Sequence, residues 1–251
     1  MSGCGFSYRH YRDVLEAARQ RYAFGHFDGT RDHERPFILL RHDVDFSLDA
    51  ALRMARVEAD LGVPSTYLVL PHAHYNPFGP PGFAQLREIV ALGHRLGLHY
   101  DLGFYASNGL DATETIRREA AVLEGRFGTR VSLVAEHNPG RATRPDGLEL
   151  GPLQDAYSPA FTREIKYLSD SCQFWREGCF CGFLDPERHP RLQVLVHPIW
   201  WSEEGHTADE ALRAHTASRI ATAREEERRV FEHYASLEHL GNRELFRRGR
   251  S

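Results

Sequence analysis

The sequence predicts an α/β fold in which parallel strands alternate with the helices that cover them. Short apolar runs typical of buried strands alternate with stretches whose apolar residues recur at helical spacing. Several of the apolar runs also end in acidic side chains or histidines. In a parallel architecture all strand carboxyl ends face one rim, where active sites are built, so the pattern predicts a functional site there.

The elements are placed by periodicity and by start and stop signals. Ser47 is a good N-cap, and Gly62 and Pro64 end the helix that it opens. We predict strands at residues 37–41, 65–70, 94–98, 131–135 and 192–196, with one or two more within 157–171. We predict helices at 6–20, 47–62, 83–93, 111–127 and 207–239, and a frayed tail after Gly241. The chain is expected to form one domain over 1–251, with its core at about 37–201 and a C-terminal helix at about 207–239.

Asp43 and Asp45 follow the first predicted strand and are the strongest candidates for chemistry. Alternate side chains of a strand share a face, so both carboxylates are expected to point the same way. Two carboxylates this close repel each other, and their proximity needs a metal, a shared proton or solvent. The alternative is that one aspartate caps the following helix while the other is solvated.

Three histidines hold equivalent positions after later strands. His99, His137 and His197 each come directly after an apolar run. Together with Asp45 they offer the oxygen and nitrogen ligands that suit a divalent metal such as zinc. Any one of them could instead be a hydrogen-bonded residue of the partial core, so the prediction rests on their shared position.

Composition narrows the functional classes. The chain of 251 residues has a net charge of −4 and no basic block, which argues against nucleic-acid binding. No apolar segment marks a signal peptide or a membrane span, so we expect a cytoplasmic protein with reduced thiols and a small-molecule or saccharide substrate. Cys172, Cys179 and Cys181 could bind zinc, but their spacing is not a recognised four-ligand pattern.

Two further segments could contact a substrate. The loop at residues 71–82 follows a predicted strand and contains four prolines, so we expect Tyr75 and Asn76 to line a preformed cleft. Trp200, next to Trp201, could stack on a sugar ring, although core packing is the alternative for one of the pair.

These residues resemble the motifs of the polysaccharide deacetylase superfamily, the NodB-type carbohydrate esterases of family 4. Residues 45–67 match the family's segment from its metal-binding aspartate to the second strand, and residues 93–99 match its metal-histidine motif. Residues 136–140 lie where its Arg-x-Pro motif is expected, and residues 167–171 with Trp175 resemble its Asp/Trp motif. His197 lies where its late catalytic histidine is expected. The resemblance implies a distorted (β/α) barrel of about seven strands that uses a divalent metal to remove N- or O-acyl groups from sugars. It also implies that Asp170 contacts the substrate.

The chain departs from the family pattern at two positions. The usual adjacent Asp-Asp pair is split by Val44, and Gly103 stands where a second metal histidine is usual. A third ligand must therefore come from elsewhere, with His137 the first choice and Asp43 the second. The signature Arg-His-Asp-Val-Asp resembles a divergent branch met among enzymes of surface-polysaccharide biosynthesis.

The resemblance and the residues together predict a metal-dependent hydrolase that removes an N-acyl group from an acylated amino sugar or sugar precursor. Zn²⁺ is the expected cofactor, held by Asp45, His99 and His137, with Asp43 as general base and His197 as general acid. One alternative is a hydrolase of the same fold that acts on a non-sugar C–N bond. Another is a non-catalytic carbohydrate-binding protein.

Overall fold

Strands and helices alternate along most of the chain. The computed structural model describes residues 4–28, 35–145 and 148–239. The strands are β1 (Ala23–Gly25), β2 (Phe37–Val44), β3 (Thr66–Val69), β4 (Arg95–Tyr100), β5 (Leu133–Glu136), β6 (Gln154–Asp155), β7 (Lys166–Ser169) and β8 (Arg191–Val196). The helices are α1 (Tyr8–Arg19), α2 (Leu48–Asp60), α3 (Pro80–Ala91), α4 (Leu102–Ser107), α5 (Ala112–Phe127), α6 (Pro159–Thr162) and α7 (Ala208–His239).

The strands form one sheet, and all of its pairs within the described residues are parallel. Seven strands follow one another in the order β6-β5-β4-β3-β2-β8-β7, and β1 pairs with β2 beside this path. This arrangement confirms the predicted distorted (β/α) barrel of about seven strands. Its parallel direction places the carboxyl ends of all the strands at one rim.

Strand β2 lies inside the sheet and pairs with three other strands. All eight of its residues are buried. Its first half pairs with β1 and its second half with β3, while β8 pairs along its other edge. A strand covered on both faces is expected to be a continuous apolar run, and Phe37–Leu40 is one. The buried Arg41 and Asp43 that follow are exceptions to that rule, and they lie where the strand reaches the rim.

Two short strands, β1 and β6, and two short helices, α4 and α6, were not predicted. Strand β1 has three residues and β6 only two, and each forms because a neighbouring strand accepts it. Runs this short show no periodicity, so tertiary pairing decides them. Helix α4 has six residues and begins after Asp101, whose side chain accepts a hydrogen bond from Phe104 N.

Glu58 of α2 is a fully buried carboxylate on the face of the helix that packs on the sheet. Its Oε1 accepts hydrogen bonds from Tyr11 Oη at 2.5 Å and His42 Nε2 at 2.6 Å. Its Oε2 accepts from Ser65 Oγ at 2.6 Å and Tyr67 Oη at 2.8 Å. Burial alone would raise the pKa of Glu58, but His42 and the other donors lower it to about 2. The core therefore holds an ionised carboxylate whose hydrogen bonds are satisfied.

The chain divides into two compact units, Met1–Ala208 and Asp209–Ser251. The first contains the whole sheet and helices α1 to α6. The second begins within α7, which is charged along its length and has surface ion pairs such as that of Arg213 with Asp209. The single domain over 1–251 stays a prediction, and the frayed tail predicted after Gly241 lies outside the described residues. None of the helices described in this structure combines the length and apolar character needed to cross a bilayer.

Candidate active site

Asp45, His99 and His137 come together at the rim, at the carboxyl ends of β2, β4 and β5. Asp45 Oδ1 lies 3.2 Å from His99 Nε2 and 3.2 Å from His137 Nδ1, and these two ring nitrogens are 3.3 Å apart. The parallel register sets this proximity, since His99 pairs directly with Ala135, two residues before His137. The structure thus brings together the three residues predicted as metal ligands.

The hydrogen bonding of His99 tests whether this cluster suits a metal. Its Nδ1 lies 3.0 Å from the Ala135 carbonyl oxygen, which can only accept, so Nδ1 carries a proton. In neutral imidazole the lone pair is then on Nε2 and faces Asp45 Oδ1, which is buried without a hydrogen-bond partner among the described residues. Two acceptors face each other at this distance only when a proton or a cation lies between them. A ring fixed by a backbone carbonyl is also the usual arrangement of a metal-ligating histidine.

His137 is fixed by its neighbour Asn138. The Asn138 side-chain amide lies 2.8 Å from His137 Nε2, and Asn138 itself adopts a left-handed backbone with φ of 49°. With Asn138 Nδ2 toward the ring, as in this structure, Nε2 accepts and the ring proton lies on Nδ1, which faces Asp45. Turning the amide by 180° makes Nε2 the donor and frees the Nδ1 lone pair for the cluster. Burial lowers the pKa of His137, but the Asp45 carboxylate 3.2 Å away raises it above the ordinary value. Asp45, His99 and His137 therefore present one oxygen and two nitrogens, a donor set that suits zinc.

Asp43 is locked in a buried ion pair with Arg41. Its Oδ1 accepts from Arg41 Nε at 2.8 Å and its Oδ2 from Arg41 Nη2 at 2.7 Å. Burial raises the pKa of Asp43, but the charge of Arg41 outweighs this and lowers it to about 2. Its Oδ2 is 3.6 Å from His99 Nε2, so this ionised carboxylate adjoins the metal-ligand cluster without belonging to it. Sequence reasoning overlooked Arg41, although alternation along β2 places it on the same face as both aspartates.

Replacing Arg41 by methionine is expected to destabilise the fold by about 3–5 kcal/mol, because Asp43 would keep a buried charge with no partner. Urea unfolding followed by circular dichroism measures this change. Arg12→Met is the matched control, since Arg12 pairs with Asp60 at the surface and its loss is expected to cost less than about 1 kcal/mol. Equal losses of unfolding free energy in the two variants would show that the buried pair contributes no more to stability than the surface pair.

His197 reaches the rim from β8 and is held by Asp170. Its Nδ1 lies 2.7 Å from Asp170 Oδ1, which also accepts from His197 N at 2.9 Å, while Oδ2 accepts from Trp201 Nε1 at 2.9 Å. Burial lowers the pKa of His197, but the hydrogen bond and charge of Asp170 raise it to about 9. The other ring nitrogen, Nε2, faces Asp45 Oδ2 at 3.9 Å. At neutral pH His197 is therefore an imidazolium whose free N–H points at the cluster.

The predicted substrate contact of Asp170 is corrected by this geometry. Asp170 is fully buried, and its two oxygens already accept three hydrogen bonds from the protein. It acts on His197 and does not face the rim. The contact joins residues 27 positions apart, which is why the Asp/Trp motif could suggest the residue but not its partner.

Replacing Asp170 by asparagine is expected to shift the alkaline limb of the activity profile to lower pH. The carboxylate stabilises the protonated ring, so its removal lowers the pKa of His197, and the proton donor is then lost at a lower pH. A shift of roughly one pH unit or more is expected, because one unit corresponds to about 1.4 kcal/mol. The measurement is kcat/KM against pH, with Trp201→Phe as a control that keeps the carboxylate. An identical limb in both variants would contradict this role for Asp170.

The hydrogen bonds of Tyr75 and Asn76 lie within their own loop and its neighbouring strands, and their predicted substrate contacts stay a prediction. The Tyr75 hydroxyl donates to the Val44 carbonyl at 2.7 Å and accepts from Leu70 N at 2.9 Å. Asn76 Oδ1 accepts from the backbone N–H groups of the two residues that follow Pro77, both at 3.0 Å. Both side chains therefore satisfy the backbone of their own loop and its neighbouring strands, an internal role that sequence alone does not distinguish from a contact in the cleft.

Trp200 is core, contrary to the prediction that it stacks on a sugar. Only 8 % of its surface is exposed, and no face of the ring is open to a ligand of that size. Trp201 is also buried, and packs against Phe6 and Tyr11 with ring centroids 5.1 and 4.9 Å apart. Core packing was the alternative for one of the two tryptophans, and in the structure both are buried.

A different set of aromatic side chains borders the rim. A groove of about 450 Å³, here called the aromatic groove, is lined by Pro139, Tyr157, Tyr167, Leu168, Ser169, Ser171 and Trp175 through Gly178. Tyr157 Oη accepts from Arg41 Nη2 at 2.9 Å, which places the groove beside Asp43. A second cavity of about 510 Å³ lies at the amino ends of β2, β7 and β8 and contains none of the candidate catalytic groups.

Comparisons with known proteins give remote matches only. A scan of protein-family models and a search of curated proteins each find no match. Among solved structures, a pseudoenzyme of the CE4 family from Bacillus anthracis matches with 13 % identity and a TM-score of 0.44, over 75 % of this chain and 62 % of that one. A variant of a peptidoglycan deacetylase from Bacillus subtilis matches with 13 % identity and a TM-score of 0.45, over 76 % and 98 %. A family 4 carbohydrate esterase from Bacillus anthracis matches with 15 % identity and a TM-score of 0.42, over 84 % and 86 %.

These likenesses concern the fold, and at such TM-scores they carry no information on activity. The chain covers only 62–64 % of the length of the pseudoenzyme structures. The chain's own features are the firmer basis: a parallel sheet of strands covered by helices, and Asp45, His99 and His137 gathered at its rim. The protein therefore has the distorted (β/α) barrel of about seven strands that its sequence predicts.

Proposed function

We propose that the protein is a metal-dependent hydrolase that removes an N-acyl group from an acylated amino sugar or sugar precursor. The carrying observation is that the cluster of Asp45, His99 and His137 adjoins two further titratable groups. The ion-paired carboxylate of Asp43 lies 3.6 Å from His99, and His197 lies 3.9 Å from Asp45. Amide hydrolysis needs a proton acceptor and a proton donor on opposite sides of one polarised carbonyl. A role in surface-polysaccharide biosynthesis and a cytoplasmic location are part of the proposal and rest on the sequence signature.

Asp45, His99 and His137 would hold the metal, and the oxygen and nitrogen donors favour zinc. When bound, a divalent ion polarises the scissile carbonyl and lowers the pKa of water toward about 7. His99 is prepared for this role because the Ala135 carbonyl fixes its ring. The negative charge of Asp45 complements the cation, and removing any of the three side chains leaves too few donors for a stable site.

Asp43 is the proposed acceptor of the proton from the attacking water. Arg41 keeps it ionised, and its Oδ2 is directed to the same side of β2 as Asp45. A carboxylate with a pKa of about 2 is a weak base, so it suits only a water whose own pKa has been lowered. The competing assignment makes Asp43 a metal ligand and His137 the base.

His197 is the proposed donor of the proton to the departing amine. Water oxygen adds to the carbonyl carbon, the C–N bond breaks, and the amine leaves after taking a proton. The His197 Nε2–H is available for this transfer because Nδ1–H is engaged by Asp170. After the donation, Asp43 releases the proton that it took from water, and the neutral His197 ring takes up a proton from solvent.

The aromatic groove supports a sugar as the substrate. Its tyrosines and Trp175 present ring faces, which suit the apolar faces of pyranose rings, next to serine and glutamate oxygens that suit hydroxyl groups. Tyr157 lines the groove and contacts Arg41, the partner of Asp43, so a sugar bound against Tyr157 would bring an N-acyl group near the cluster.

The test is acyl release from a panel of N-acylated amino sugars and of acylated amino acids with matched acyl groups. Free acyl acid and free amine are both quantified, with protein depleted of metal and with protein to which zinc has been restored. We expect metal-dependent release from the sugars and at least about tenfold slower release from the amino-acid amides. Faster release from the amino-acid amides would support the non-sugar hydrolase, and sugar binding without release by the zinc-loaded protein would support the non-catalytic alternative.

A further inference from the structure

Three cysteines and a histidine from distant parts of the chain lie close together in space. None of them belongs to the rim cluster. Cys4 Sγ is 3.4 Å from Cys181 Sγ, and His10 Nε2 is 3.3 Å from Cys179 Sγ. One ligand atom from each of the four residues lies within 4.8 Å of every other. Among the described residues, this is the one such group that contains sulfur.

Separate backbone contacts position each ligand. The segment before α1 is bonded to the stretch after β8, with Tyr8 N donating to Ser202 O at 2.7 Å and Ser202 N donating to Phe6 O at 3.0 Å. This places Cys4 beside the loop that follows β7. His10 lies in the first turn of α1, whose N-cap Ser7 accepts a hydrogen bond from His10 N at 3.2 Å.

The two remaining cysteines flank the start of a 3-10 turn, Phe180–Phe183. Gly182 N donates to the Cys179 carbonyl at 2.9 Å, and this turn directs both thiols of the Cys179-x-Cys181 pair to one side. The ligands therefore come from three segments that the fold holds independently.

The separations match a tetrahedral metal site. Zinc–sulfur bonds of about 2.3 Å at tetrahedral angles place neighbouring sulfurs about 3.8 Å apart, and nitrogen and sulfur slightly closer. The observed 3.4 and 3.3 Å are near these values. They are well beyond the roughly 2.05 Å of a disulfide. Thiols are also weak hydrogen-bond partners, so mutual hydrogen bonding gives little reason for four such groups to gather.

We propose that Cys4, His10, Cys179 and Cys181 form a structural zinc site. Four protein ligands of the Cys₃His type close the coordination sphere, which is the mark of a structural site, whereas the rim cluster has three and leaves a position open. The assignment revises the sequence expectation, because Cys172 is exposed and outside the group, and its place is taken by Cys4 and His10. Neither residue could be recognised from spacing, since 175 positions separate Cys4 from Cys179.

The site would clamp the loop that forms one wall of the aromatic groove. The wall residues Trp175 to Gly178 directly precede Cys179. The loop has irregular backbone, with positive φ at Cys172, Gln173 and Gly178, so few regular hydrogen bonds fix it. A metal at its end would hold the wall in place without taking part in the chemistry.

The experiment uses cobalt as a spectroscopic probe in the full chain. Purified protein is stripped of metal under reducing conditions and titrated with Co²⁺, and its near-ultraviolet absorption is recorded. Thiolate ligands give a charge-transfer band, and the oxygen and nitrogen donors of the rim cluster do not. We expect the charge-transfer band to saturate when one equivalent of Co²⁺ per chain has bound to the cysteine site. The band should persist in Asp45→Ala and be lost or strongly weakened in Cys179→Ser and Cys181→Ser.

Cys172→Ser is the matched control and is expected to keep the full band, since Cys172 is exposed and outside the cluster. A measurement on the unaltered protein covers the case in which the serine variants fail to fold. Zinc-loaded protein should protect three of its four thiols from alkylation until a chelator is added, and zinc per chain should fall by about one equivalent on chelation from this site. No thiolate band and no protection, or a Cys4–Cys181 disulfide detected by mass spectrometry in freshly purified protein, would overturn the proposal.

Discussion

Asp45→Ala is expected to lose the rim metal and to lower the rate of acyl release by at least about 10³-fold, because Lewis-acid catalysis contributes several kcal/mol. His99→Ala should have the same two effects. Asp45 Oδ1 is the atom on which both ring nitrogens converge at 3.2 Å, so its removal leaves the histidines facing each other alone. The measurements are metal content per chain and kcat/KM on the preferred N-acylated sugar.

Asp60→Ala is the control for Asp45→Ala, since Asp60 is a surface carboxylate on α2 with no contact to the rim. It should retain both metal and activity. Because the proposed cysteine site also binds metal, the informative quantity is the loss of one equivalent relative to this control. Full metal content in both Asp45→Ala and His99→Ala would refute the ligand assignment.

Asp43→Asn is expected to keep the rim metal while turnover falls by about 10²–10⁴-fold, the usual contribution of a general base. Asparagine has the shape of aspartate and can still accept from Arg41, but it cannot accept the proton from water. His137→Ala, in contrast, should lose metal together with activity. The pair of variants separates the role of base from the role of ligand.

The opposite pattern would favour the competing assignment, in which Asp43 binds the metal and His137 takes the proton. Thermal unfolding of Asp43→Asn accompanies the kinetics, because Arg41 would keep a buried charge beside a neutral side chain. A loss of turnover is attributed to chemistry only where the variant remains folded at the assay temperature.

The residues of the rim were predictable because they depend on topology alone. A parallel sheet directs all strand ends to one side, so Asp45, His99, His137 and His197 could be placed together without any knowledge of their contacts. The structure shows them within a few ångströms of one another. Their roles remain predictions that the variants above address.

What was missed or stays a prediction depends on contacts that spacing does not encode. Arg41 was visible as the residue two before Asp43, but a buried arginine in a central strand is uncommon enough that alternation alone did not suggest a pair. Tyr75 and Asn76 are polar and lie in a loop at the rim, yet backbone groups nearby use their oxygens. Whether a polar side chain serves its own loop or a ligand is decided by conformation, which periodicity does not specify.

The buried carboxylate of Glu58 also has a consequence for how the molecule opens. Its donors come from α1, from β2 and from the start of β3, so none of these elements can separate without leaving a charge unsolvated in the interior. The amide protons of α1 and of the central strands should accordingly exchange with deuterated solvent at one common rate, that of a single cooperative opening. A shortened chain that begins at Phe37 would lack Tyr11, and the catalytic strand would then belong to a less protected unit. The first helix, which contributes nothing to the rim directly, thereby sets how long the rim stays assembled.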